Sequence, residues 1–162
     1  MIEFPEILYT HSVEETEAYG AKLAQRLSED SAYPRFVALY GDLGVGKTAF
    51  VRGFTSVFAK NARVKSPTFA LVNEYRGEAL SVFHFDMYRI EDEDELYSIG
   101  FYDYQDRDGI CLVEWSENIE YALPEQYLSV KIEKCDSTEN NADTRKLSVN
   151  LIKKWSITGE LK

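Results

Sequence analysis

The chain has 162 residues, a net charge of -10, and 44% hydrophobic, 28% charged and 14% aromatic residues. A chain of this length buries roughly 70% of its unfolded surface on folding, and the apolar share is enough to fill that core, which excludes disordered, collagen-like and low-complexity classes. No apolar run nears the roughly 20 residues of a membrane span, and Met1-Ile2-Glu3-Phe4-Pro5-Glu6 lacks the basic and apolar regions of a secretory signal. The expectation is one cytoplasmic domain over residues 1–162 with no membrane partner. Cys111 and Cys135 fall in strand-like segments and are read as reduced thiols rather than a disulfide or metal pair.

Charge is unevenly spread. Glu91 to Asp108 holds eight acids and one base, Arg107, so this segment carries -7 of the total. Such a surface repels phosphate backbones and argues against DNA as a partner. Arg52, Lys60, Arg63 and Lys65 form the opposite cluster, either a solvated helix end or a phosphate or partner surface.

In chain order, Ser12 and Glu15 make a capping box that opens a helix from Val13 to Ser28. Phe36 to Tyr40 reads as a buried strand running into Gly41–Gly46, and a second helix covers Lys47 to Ala59. Phe69–Tyr75 and Ala79–Tyr88 flank Arg76-Gly77 as an antiparallel hairpin. Alternation in its second strand sets Phe83, Phe85 and Met87 on one face and Val82, His84, Asp86 and Tyr88 on the other. An acidic helix spans Asp92 to Ile99, Ile110–Val113 is a further buried strand, and a short helix follows Ser116. Strands at Leu128–Lys134 and Arg145–Ile152 flank a polar loop. The pattern predicts an α/β, three-layer P-loop NTPase-like domain: a mixed sheet with a parallel core plus antiparallel hairpins.

Gly41-Asp42-Leu43-Gly44-Val45-Gly46-Lys47-Thr48 fits G-x-x-x-x-G-K-[ST] between a strand and a helix. Glycines let successive backbone N–H groups turn toward phosphate, a lysine supplies the cation, and the helix end adds to the field. The nucleotide cradle is thus assigned to Asp42, Leu43, Gly44, Val45, Gly46, Lys47, Thr48 and Ala49, with the Thr48 hydroxyl toward Mg²⁺. The site also needs an acid at the end of a neighbouring strand. Glu114, ending the cleaner buried strand, is assigned to Mg²⁺, and Asp86 to orienting or activating water. His84 is read as a hydrogen-bonded core histidine. Thr68, in Ser66-Pro67-Thr68-Phe69, lies where a switch threonine would report the terminal phosphate. No Asn-Lys-x-Asp motif occurs, and Asp106-Arg107-Asp108-Gly109 precedes its strand as a turn, so ATP is favoured over GTP.

These motifs, with His84-Phe85-Asp86-Met87-Tyr88-Arg89 and Glu114-Trp115-Ser116-Glu117 following in order, resemble the TsaE (YjeE) family of bacterial ATPases in tRNA threonylcarbamoyladenosine synthesis. The resemblance runs from the first helix to about Pro124. It departs at Ala49, where a second threonine is frequent, and in the unusually acidic Glu91–Glu95. It implies ATP and Mg²⁺ as cofactors and a partner pair, TsaB and TsaD, which modifies the adenosine beside the anticodon, so that tRNA is met only through that complex. By matching motif, Lys47 contacts phosphate, Thr48 and Glu114 hold Mg²⁺, and Thr68 and Asp86 serve hydrolysis. A small-molecule kinase and a non-hydrolysing nucleotide-binding adaptor are the competing readings. The arginines are scattered and no lid-sized insertion exists, which counts against the kinase.

Overall fold

The computed structural model describes residues 3–67, 71–135 and 142–154. Its elements are β1 (Glu6–Thr10), α1 (Val13–Glu29), β2 (Phe36–Tyr40), α2 (Lys47–Phe58), β3 (Val72–Tyr75), β4 (Ser81–Asp86), α3 (Glu93–Ser98), α4 (Phe101–Tyr104), β5 (Gly109–Glu114), a 3₁₀ segment at Ser116–Ala122, β6 (Gln126–Lys134) and β7 (Arg145–Lys153). The seven strands form one sheet in the order β1-β7-β6-β2-β5-β4-β3. β4, β5, β2 and β6 run parallel, whereas β3, β7 and β1 each pair antiparallel to their neighbours.

The three layers follow from the period of two. Val37 and Leu39 on β2 meet Phe50 and Phe54 of α2 and Leu23 of α1, forming one core. Phe36 and Ala38, pointing the other way, join Phe85, Leu96, Phe101 and Ile119 in a second core beneath α3, α4 and the 3₁₀ segment. The predicted division of β4 also holds: Phe83, Phe85 and Met87 belong to the second core and Val82 to the first. α1 and α2 cross at two glycines. A Cβ on Gly53 would lie 1.8 Å from the Glu17 carbonyl oxygen, and one on Gly20 would lie 2.3 Å from that of Phe50. Only hydrogen fits there, so the helix that begins with the phosphate-loop lysine is fixed in place by backbone contact.

Several boundaries differ from expectation. The strand predicted to run to Tyr88 ends at Asp86. The Asp86 carboxylate then accepts the Tyr88 N–H at 3.0 Å, and this local turn takes the chain out of the ladder. Phe69 and Ala70, predicted as strand, lie outside the described residues. α4 was not anticipated, and β1 only as a strand ending at His11. β1 turns Ile7 and Tyr9 to solvent and packs Leu8 against the first core, and α4 is only one turn anchored by buried Phe101. The acidic helix is shorter than predicted, and Asp92 caps it by accepting the Glu95 N–H at 3.0 Å. Cys111 and Cys135 are free, and burial pushes the Cys111 thiol up to about 12. Of the basic cluster, Arg52 pairs with Glu17 of α1 at 3.3 Å.

Candidate functional site

The site lies at the C-terminal ends of β2, β4 and β5, where an open parallel sheet leaves strand ends and helix starts facing one space. Gly41, Gly44 and Gly46 adopt φ of 142°, 75° and 110°, and Gly46 directly caps α2. These backbone angles are what a loop with inward-turned N–H groups requires, and side chains with a Cβ rarely reach them. Leu43 is exposed at the loop tip while Val45 is buried, its carbonyl held by Arg145 Nε at 2.8 Å.

Lys47, the first residue of α2, is buried to 6% exposure. Its ammonium donates to the Gly41 carbonyl and sits 3.9 Å from the centroid of the Trp115 ring. Burial lowers its pKa, against the opposing pull of Glu114, Glu117, Asp86 and Asp42. Thr48 Oγ1 is 3.2 Å from Ser66 Oγ, which ties the helix start to the segment leading to Pro67.

Two carboxylates face the loop from neighbouring strands. Parallel pairing of β4 with β5 places Asp86 opposite Glu114. Glu114 is 4% exposed, and its Oε2 lies 2.7 Å from His84 Nε2. Asp86 is half-buried, and burial pushes its carboxyl above the usual range; the Glu114 charge adds to the rise, while the Tyr88 N–H, His84 and Lys47 oppose it. Burial likewise raises Glu117. Trp115 occupies the left-handed region at φ 59° and also meets Tyr88, with ring centroids 4.9 Å apart. Asn118 Nδ2 bonds the Met87 carbonyl at 3.0 Å, tying the tail of β4 to the 3₁₀ segment.

A groove of about 620 Å³ runs along this loop, lined by Asp42, Leu43, Val45, Glu117, Lys131 and Lys134. A larger cavity of about 760 Å³ lies elsewhere, between the end of α2 and the β3–β4 turn, and touches none of the motif residues. The smaller space is the one that follows the phosphate loop: Gly41, Asp42, Leu43 and Val45 line it, together with Glu117.

The model of a family described as threonylcarbamoyl adenosine biosynthesis protein TsaE matches residues 10–147. The chain belongs to the TsaE family. A relative from Haemophilus influenzae, tRNA threonylcarbamoyladenosine biosynthesis protein TsaE, is 41% identical over 125 residues, covering 75% of this chain and 78% of its own length. A Bacillus subtilis protein of the same name is 38% identical over 130 residues, with 80% and 78% covered. The crystal structure of Bacillus subtilis YdiB superposes with a TM-score of 0.65 at 31% identity, covering 92% of this chain and 88% of that one. Family membership carries a role in tRNA threonylcarbamoyladenosine biosynthesis. The neighbour shares the mixed three-layer fold.

Among the sequence-assigned TsaE residues, Asp42 to Ala49 form the loop and first turn of α2, and Glu114 and Asp86 end adjacent strands. Thr68 lies outside the described residues. Sequence reading missed the hydrogen bond from His84 to the carboxylate assigned to the metal. His84 is the buried, bonded histidine expected, but its partner could be found only by pairing β4 with β5. Among the described residues no helix is long and apolar enough to cross a membrane.

The raised pKa of Asp86 yields a sign. The folded protein holds this proton more tightly than the unfolded chain, so stability falls as pH rises from the unfolded carboxylate range through the folded pKa. Asp86→Asn keeps an oxygen for the Tyr88 N–H and removes the charge. Its Tm is expected to exceed that of the parent at pH 7, with the gain vanishing near pH 3, below the ordinary aspartate pKa of about 3.9. Thermal melts at both pH values check this; equal Tm at pH 7 would refute it.

Proposed function

We propose that this chain is a Mg²⁺-dependent ATPase that supports TsaB and TsaD in tRNA modification, resetting their complex between rounds and meeting tRNA only through it. The observation that carries the reading is the buried Lys47 at the head of α2, facing paired carboxylates at the ends of β4 and β5. Thr48 offers a hydroxyl and Glu114 a carboxylate, hard oxygen donors of the kind Mg²⁺ takes alongside phosphate oxygens and water. When bound, Mg²⁺ would neutralise charge on the transferring phosphoryl group.

In this reading the loop N–H groups and the start of α2 bind the phosphates, and Lys47 adds a cation kept strong by exclusion of water. Asp86 holds and orients the attacking water near neutral pH, and Thr68 follows the terminal phosphate. The groove beside Asp42 and Lys134 leaves room for the rest of the nucleotide. Phosphoryl transfer to water is mostly positioning and electrostatics, so a site completed by another protein turns over slowly alone.

Phosphate release from ATP, measured for the chain alone and with TsaB and TsaD, tests this. Slow release that rises with the pair and requires Mg²⁺ is expected. Release unchanged by the pair would refute partner stimulation, and phosphate transfer to a small acceptor instead of water would favour a kinase.

A further inference from the structure

We propose that His84 is a positioning residue for Glu114, holding one carboxylate oxygen so that the other faces the metal side of the phosphate loop. The proposal rests on the reading of Glu114 as the Mg²⁺-side acid. His84 is fully buried in β4, an interior strand, between Asn73 of β3 and Leu112 of β5 in register. Its ring stacks on Tyr75, centroids 6.4 Å apart with planes at 30°, which fixes the imidazole plane from the side. Nε2 meets Glu114 Oε2 at 2.7 Å. No hydrogen bond to Oε1 is present among the described residues.

The hydrogen-bond partners assign the tautomer. An ionised carboxylate only accepts, so Nε2 carries the proton and donates. Nδ1 is then a bare acceptor, and it is a buried atom with no partner among the described residues. The other tautomer would set two acceptors against each other and strand an N–H donor in the core, the more costly arrangement. A core histidine needed only for packing has no reason to aim its donor at the one buried carboxylate ending β5. A glutamate, by contrast, has three side-chain torsions to fix before its oxygens can serve a metal. Imidazole-to-carboxylate bonds behind metal ligands do this, and their loss lowers metal affinity by about 10–100-fold.

The test is the Mg²⁺ dependence of ADP binding, followed by calorimetry and therefore independent of turnover. His84→Phe, which keeps a buried ring and loses the donor, should move the Mg²⁺ midpoint up by about 10–100-fold and leave Mg²⁺-free ADP affinity unchanged. His84→Gln, with an amide donor reaching toward the Nε2 position, should recover most of that loss. Should His84→Phe fail to fold, His84→Leu takes its place against the same rescue. Glu114→Gln separates the two levels. If it shifts the midpoint while His84→Phe does not, or if the Phe and Gln variants at position 84 are equally impaired, the positioning role is overturned. If Glu114→Gln itself leaves the midpoint unmoved, the metal assignment of Glu114 falls first and the role of His84 with it.

Discussion

Lys47→Ala is expected to cut ATP turnover by on the order of 10²–10³-fold, the cost of removing one preorganised charge from a water-excluded site. Lys47 is 6% exposed, its ammonium held by the Gly41 carbonyl and the Trp115 ring. Burial disfavours its charged form, and four surrounding acids oppose that effect without cancelling it. A cation kept in so little water acts on phosphate at low effective dielectric, where its charge counts most. The variant should also bind ATP more weakly, because the charge acts on bound nucleotide as well, though most strongly on the charge that develops in the transition state. Trp115 reports the same event: its ring touches the lysine, so ATP should change its fluorescence in the parent and change it less in Lys47→Ala. Turnover and fluorescence titrations together check the expectation. Parent-like turnover in the variant would remove Lys47 from the proposed mechanism.

Glu114→Ala should separate binding from chemistry. Turnover at saturating ATP and limiting Mg²⁺ is expected to fall on the order of 10²-fold, while ATP affinity without Mg²⁺ stays within a few-fold of the parent. The reason is the location of the carboxylate: it ends a fully buried strand, opposite Asp86, and its one bonded oxygen goes to His84. Removal also leaves the His84 Nε2–H unpaired in the core, so stability should drop by about 1–3 kcal/mol. Glu114→Gln, which retains an acceptor oxygen, should regain stability without regaining turnover. Equal turnover of parent and Glu114→Ala at limiting Mg²⁺ would refute the metal assignment, and chemical denaturation of the two variants measures the stability part.

The phosphate loop and its setting were legible in the sequence because their signals are local. A five-residue apolar run, glycines at fixed spacing, lysine-threonine and an amphipathic helix follow one another without interruption. The same holds for β5, whose buried run ends in Glu114. β1 was legible only as a strand end at His11, because in its run Ile7-Leu8-Tyr9, on an edge strand, only Leu8 turns to the core and no clean alternation shows. α4 escaped notice because four residues carry no period.

What the sequence determined by itself was therefore the fold class, the loop and the identity of the candidate acids, all readable within single segments. The tertiary structure decided their relations. β4 and β5 are separated by two helices in the chain, and only their parallel register puts Asp86 beside Glu114 and brings His84 within 2.7 Å of it. The approach of α1 to α2 through Gly20 and Gly53, and the Trp115 ring over Lys47, likewise arise between elements distant in sequence. Periodicity records which face of an element is buried. It carries no record of which other element covers that face, because many partners satisfy the same apolar pattern, whereas one register satisfies the buried charges.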